Sequence, residues 1–283
     1  MKSLLINPVL NKEIKLRFRS FKGFLGVFFY LVALGIIAIG FIVVNTMYSQ
    51  VAIFSPEQSR IMFMVLSVVQ MALILFMTPG LTSGVISGER ERQTLNILLT
   101  TPQSSTSIVL SKLISSISYL LLMIISSMPL YSIVFLFGGV SPSLLLTTFG
   151  YYLITMITIG SLGVLFSTLI RRTIVSTIVT YGLALFLTAG TAFLTIVFFE
   201  MFFYQNSQTV LPYFTAMVNP AIILISSFEP YMLQEIQQRT GIDFPLVASF
   251  IITYASITIL SLWISIKKLR PKMKAKKGSG KHE

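Results

Sequence analysis

Few side chains in this sequence could carry acid–base, nucleophilic or metal chemistry. Its 283 residues include nine carboxylates, one histidine and no cysteine. The histidine is His282, so a His-based triad within the membrane-spanning part and a zinc site built on His or Cys are excluded by residue type. Disulfides and thiolate chemistry are excluded too. The carboxylates are Glu13, Glu57, Glu89, Glu91, Glu200, Glu229, Glu235, Asp243 and Glu283. None falls inside a long apolar run except Glu200, at the edge of one. Ser111 precedes Lys112, but neighbours on a helix point about 100° apart, so they form no Ser–Lys pair. The "GSGK" at 278–281 is no phosphate loop. Ala275 stands where the first Gly belongs, no Ser or Thr follows Lys281, and no strand precedes it. The chain is therefore not expected to be an enzyme, and no metal or cofactor is expected.

One stretch concentrates charge: "GERERQTLNILLTTP", residues 88–102. Glu89, Arg90, Glu91 and Arg92 alternate in sign within a chain that is only 11% charged. Read as a helix, Glu91, Leu95, Leu98 and Leu99 share one face, and Arg92, Asn96 and Thr100 another. Glu89 would pair with Arg92 or Gln93, one turn on. Gly84 and Gly88 loosen the segment before it. Pro102 disfavours helix at Thr101, and "QSST" (103–106) offers caps for the apolar run that begins there.

The elements around this stretch are apolar. Hydrophobic residues make up 54% of the chain, and mean hydropathy is +0.85. Several runs are long enough to cross a bilayer as helix, which takes about 20 residues. A large soluble all-α protein would need more surface charge. The expected fold is an all-α integral membrane protein with six spans: 24–47, 60–86, 106–137, 142–170, 173–199 and 245–266. The short links 138–143 and 171–172 make tight helical hairpins. The Ser and Thr inside the spans, among them Ser67, Ser115, Ser116, Ser126, Ser127, Thr155, Thr158 and Ser161, are expected to pack helices.

Lys and Arg set the orientation. With both termini cytoplasmic, 19 of the 21 basic residues fall inside, and only Arg60 and Arg239 outside. The net charge of +12 is then a topology signal. Nucleic acid is not an expected partner, because the basic residues are split among membrane flanks. The N-terminal "NPVLNKEIKLRFRSFKGF" reads as an interfacial helix over 7–22. Asn7 caps it, Leu10, Ile14, Phe18 and Phe21 face lipid, and Lys12, Lys15, Arg19 and Lys22 face anionic headgroups. No cleavable signal is expected, since a charged amphipathic segment precedes the first apolar run. Residues 267–283 form a basic cytoplasmic tail. An ion-coupled carrier usually keeps an ionisable group at bilayer depth, and no span supplies one. If the chain moves a solute, the energy comes from elsewhere.

The segment "GERERQTLNILLTTPQSSTSIVLSKLI" closely resembles the pattern "GERExGTLxxLLxxPxSxxxIVxxKxL" of the type-2 family of ATP-binding-cassette (ABC) transporter permeases. The match extends over about 25 positions. "NPVLNKEIKLRFR" looks like the start of that family's elbow helix, and "VNPAIILIS" (218–226) resembles its outer segment of short re-entrant helices, here 200–244. Gln93 departs from the pattern, where the family often has Gly.

The resemblance implies that 88–101 is a cytoplasmic coupling helix docking on separate ATPase subunits, two per complex. Glu89, Arg90, Glu91 and Arg92 would meet complementary charges there, and Thr94 and Leu95 would seat the helix. Lys12, Glu13, Lys15 and Arg19 would belong to the elbow helix. A second permease, the same or related, would complete an export pathway. Met64, Val68, Met71 and Leu75, with Thr180, Leu183, Leu187 and Thr191, are the candidate lining. Each of these suits core packing as well as substrate contact. Such a lining fits a hydrophobic or amphipathic substrate: drug, peptide or lipid. The implied location is a bacterial plasma membrane. A non-transporting resistance or sensing subunit and a secondary carrier are the other readings. On this basis reversing the charge at Glu89 is expected to spare insertion and break coupling, and Glu91 is expected to matter less.

Overall fold

A computed structural model describes residues 21–48, 55–95, 100, 103–136, 138–204 and 209–269. Among them there is no β-strand. Six helices are long and apolar enough to cross a membrane, so the chain has the helices of a multi-pass membrane protein. The elbow-helix residues Lys12, Glu13, Lys15 and Arg19 lie outside the described residues, as does the tail beyond Leu269.

The first span is α1 (Phe21–Tyr48) and the second is α2 (Pro56–Thr82). A capping box starts α2: Ser55 accepts from the Gln58 amide, and Gln58 accepts from the Ser55 amide. The helix therefore begins before the expected residue 60. It ends before the expected 86, at a turn over 83–86, and a short helix α3 (Ser87–Glu91) follows. The backbone leaves the helix at Arg92–Thr94 and is helical again at Leu95 and Thr100, so the continuous helix expected over 88–101 is corrected to a broken one whose first piece is Ser87–Glu91. Residues 96–99 and 101–102 lie outside the described set.

The third span is broken into α4 (Ser105–Ser126) and α5 (Met128–Leu136) by a turn at Ser127. Ser104 caps α4 by accepting from the Ser107 amide. Pro129 explains the break, because it has no N–H to offer the Ile125 carbonyl. The fourth span is α6 (Pro142–Leu169). The fifth runs through α7 (Thr173–Leu185), a π-helical turn (Phe186–Gly190) and α8 (Thr191–Tyr204), past the expected end at 199. Three short helices follow: α9 (Leu211–Val218), α10 (Pro220–Ser226) and α11 (Pro230–Thr240). The sixth span is α12 (Leu246–Leu269).

The fourth span is the hub: 72% of its most apolar stretch is buried, against 17% for the first and sixth spans. α2, α4, α7 and α12 all pack on it. Small residues make this possible. A Cβ on Gly163 would fall on the Thr82 hydroxyl, and one on Gly160 would lie 3.1 Å from Leu113 Cδ1. The hairpin link before α6 depends on Gly139, whose φ is +84° and whose Cβ position is filled by the Pro56 carbonyl.

The core is aromatic toward the end of the bundle that carries α9–α11. Phe63 packs edge-on to Tyr131, with ring centroids 5.4 Å apart, and tilts against Phe228 at 5.5 Å. At the other end a smaller cluster joins Ile86, Leu95, Ile108, Val109, Leu113, Val164 and Leu269. That cluster underlies the charged stretch.

Candidate functional site

Three of the four alternating charges have partners inside this chain, each on a different span. Glu89 Oε1 accepts from Lys112 Nζ at 2.9 Å, while its other oxygen accepts from the Thr94 hydroxyl. The lysine side chain is 6% exposed and the glutamate 30%. Lys112 sits about 10 Å into α4 from Ser105, at 1.5 Å per residue. Its side chain runs back toward the helix start, as helical side chains lean, with its methylenes among apolar neighbours. The expected pairing of Glu89 with Arg92 or Gln93 is thus replaced by a partner 23 residues on. A one-turn pairing needs α3 to continue, and it does not.

Arg90 and Glu91 treat the fourth and fifth spans in opposite ways. Arg90 Nη2 donates to the Thr168 carbonyl at 3.1 Å, among the last carbonyls of α6. Glu91 accepts from both the Thr173 amide and the Thr173 hydroxyl, each at 2.8 Å. Thr173 is the first residue of α7, whose own preceding residue, Arg172, makes no side-chain cap. A cation therefore meets the negative end of one helix and an anion the positive end of the next. Glu91 was expected to share the leucine face and matter little. It is instead a cap supplied from a distant part of the chain, because α3 ends at Glu91 and leaves its carboxylate beside the start of α7.

The capping is reciprocal. Ser167 Oγ on α6 accepts from the Ile86 and Ser87 amides, both at 2.9 Å, and so caps the start of α3. Ser176 on α7 donates to the Ser83 carbonyl at 2.8 Å. Ser83 and Thr177 share a hydroxyl–hydroxyl bond of 2.8 Å. Leu95, 7% exposed, inserts beneath the stretch into the apolar cluster. Residues 83–95 are thus a clasp across the second to fifth spans, resting on the end of the sixth.

Arg92, Gln93 and Thr94 are exposed on the clasp's outer side, as are Arg171 and Arg172 of the fourth-to-fifth turn. Gln93 has φ +59°, in the left-handed region that favours glycine. The backbone bonds Gln93 N to Arg90 O and Thr94 N to Glu89 O close this turn, at 3.1 and 2.9 Å. Gln93, a departure from the pattern quoted above, therefore falls where backbone geometry asks for Gly.

The candidate pathway residues divide. Met71, Thr180, Thr191 and Leu187 are buried within the chain, at 1, 1, 5 and 8% exposure. Met64, Val68, Leu75 and Leu183 are half-buried. Met64 borders a cavity of about 120 Å³ lined also by Glu57, Arg60, Phe228 and Glu229. Arg60 there donates to the Phe228 carbonyl. Thr191 packs through Asn219, a fully buried residue that the sequence reading passed over. Asn219 Nδ2 donates to Thr188 O at 2.6 Å and to Thr191 Oγ1 at 2.9 Å, while its Oδ1 caps α10. It thereby ties the outer short helices to the π-helical turn of the fifth span.

Sequence reasoning also missed Lys112, Ser167, Thr168 and Thr173 as partners of the charged stretch. Lys112 did carry a signal: it is the only charged residue between Arg92 and Arg171. Across the spans, Ser116 donates to the Leu81 carbonyl and Thr158 bonds Thr258, which is helix packing as expected. Among the described residues no group of three or more His, Cys, Asp or Glu could hold a metal ion. No protein-family model matches the chain, and a search of curated proteins finds no match.

Proposed function

We propose that this chain is the permease subunit of an ABC exporter in a bacterial plasma membrane, and that a separate ATPase subunit acts on it through residues 83–95. The observation that carries the reading is the clasp. A soluble partner pushing on the outer side of residues 92–94 would pull on Lys112, the end of α6 and the start of α7 together. Motion at one small surface then becomes rigid-body motion of several spans, as alternating access requires. The resemblance of residues 88–114 to the type-2 permease pattern supports the same assignment. In this reading Glu89 and Glu91 hold the clasp, and Arg92, Gln93 and Thr94 meet the partner, with charge setting register more than raw affinity.

Two ATPase subunits and a second permease, identical or related, would complete the complex. The outward faces of the second and fifth spans carry Phe76, Ile178, Leu185 and Phe193, all more than half exposed and apolar. That surface suits a pathway for a hydrophobic or amphipathic drug, peptide or lipid.

Purification of the tagged chain from native membranes tests the proposal. Co-recovery of a soluble ATPase bearing Walker motifs is expected. Recovery of the chain alone, with transport insensitive to ATP depletion, refutes it. Orientation is tested separately in this cysteine-free background. Ser141→Cys should react with an impermeant thiol reagent in intact cells, and Ser104→Cys only after lysis.

A further inference from the structure

Away from the clasp, six uncharged polar side chains meet inside the bundle. Tyr30 comes from α1, Ser67 and Gln70 from α2, Ser127 from the break in the third span, Tyr131 from α5 and Tyr152 from α6. None is more than 2% exposed. Gln70 Oε1 accepts from Tyr131 Oη at 2.6 Å and from Ser127 Oγ at 3.2 Å. Tyr152 Oη donates to the Ser67 carbonyl at 2.8 Å. Three polar atoms of the cluster make no hydrogen bond of good geometry within the protein: Gln70 Nε2, Ser67 Oγ and Tyr30 Oη; Tyr30 approaches Ser127, and Ser67 approaches Tyr131 and Tyr152, without closing one. Two more flank Tyr152 on the same face of α6, Thr148 Oγ1 and Thr155 Oγ1.

Hydroxyls on a membrane helix have an easy escape, the carbonyl four residues back. Thr78, Thr82, Thr168 and Thr180 all take it. Ser67, Thr148 and Thr155 do not. Turning the Gln70 amide over exchanges which end is orphaned and pairs neither arrangement fully. Unpaired polar groups in an apolar interior are costly, so a concentration of five along one seam points to a ligand.

The donor set defines that ligand. It must accept from the Gln70 N–H and exchange hydrogen bonds with hydroxyls. An amide N–H repels a cation, and none of the six side chains carries a charge to balance an anion. A molecule with two donors, two acceptors and the smallest size fits. We propose that this seam is an internal hydration site, in which ordered water anchored on Gln70 links the first four spans. The site lies against the Ser127 break, where Pro129 leaves the Ile125 carbonyl without its helical donor. The inference is independent of the transport reading.

X-ray radiolysis of the protein in nanodiscs, read by mass spectrometry, tests it. Hydroxyl radicals form from water bound next to a side chain and oxidise it even when bulk solvent is excluded. Tyr254 is the dry control: it is 0% exposed and its hydroxyl donates directly to the Val218 carbonyl. Tyr30, Tyr131 and Tyr152 should be oxidised several-fold faster than Tyr254. Equal protection of all four overturns the proposal. Gln70→Leu should bring the three tyrosines down to the Tyr254 level while Tyr231, 80% exposed, keeps its rate. Unchanged oxidation in that variant overturns the anchoring role of Gln70. If the variant does not fold, the wild-type comparison decides alone.

Discussion

The Lys112–Glu89 pair makes an asymmetric prediction. At 2.9 Å, two unit charges attract by about 6 kcal/mol for an effective dielectric of about 20. Removing Lys112 from water takes back much of that, so the net contribution of the pair is smaller. Deleting one partner is a different perturbation. Glu89→Gln keeps the shape and the Thr94 contact but leaves a cation 6% exposed beside a neutral group. Stranding a fully buried charge costs about 3–5 kcal/mol. Glu89 is 30% exposed, so some water reaches the lysine from that side, and about 2–3 kcal/mol is expected. Lys112→Met keeps the apolar stem and removes the buried charge, and Glu89 can turn to water. Its cost is expected to be about 1 kcal/mol or less. Glu89→Lys, which places a second cation beside Lys112, should cost more than Glu89→Gln. Reversible unfolding of the purified protein in mixed micelles gives the three stabilities. The double variant Glu89→Gln/Lys112→Met closes the cycle, with a coupling of about 1.5–2 kcal/mol expected. Small, equal and additive single-variant costs would mean that water screens the pair and that it holds nothing.

Glu91→Ala should fray the start of the fifth span, and hydrogen exchange at residues 173–176 should speed up several-fold. Unchanged exchange there would show that Glu91 does not cap Thr173. Gln93→Gly should raise stability by about 0.5–1 kcal/mol, because a left-handed residue with a Cβ is strained and Gly is not. A drop in the unfolding midpoint would contradict that backbone reading. Asn219→Ala should cost about 2–4 kcal/mol, since it removes a helix cap, a bond to the π-helical turn at Thr188 and a bond to Thr191 at the start of α8 at once. A loss below about 1 kcal/mol would mean that the short helices are not tied to the fifth span through this residue.

The spans were legible because a bilayer reads a simple quantity, apolar length, and the chain writes it plainly. Their ends were less so. Hydropathy is blind to the Ser55–Gln58 box that starts α2 early and to the turn at Ser83 that stops it. The break at Ser127 had a visible cause in Pro129, but the run 106–137 is apolar on both sides of it. The charged stretch was legible as special and misread in its pairing. Local rules connect residues three or four apart, whereas Arg90 and Glu91 find partners 78 and 82 residues away. Lys112 stood out as a solitary charge, yet only the fold shows that it points back along α4 to Glu89. The Gln93 departure was visible as a letter, and its meaning as a left-handed turn was not.

The clasp also orders events during synthesis. Glu89, Arg90 and Glu91 leave the ribosome well before the helices they serve. Lys112 follows within 23 residues, so the first bond can form almost at once. Thr168 and Thr173 come some 80 residues later, which at about 5–20 residues per second is a wait of roughly 4–16 s. Throughout that interval Arg90 and Glu91 lack their partners and must stay in water. When the fourth and fifth spans arrive, the same two charges become their end caps. The clasp can therefore close fully only after the fourth and fifth spans have been made and have packed beside the second.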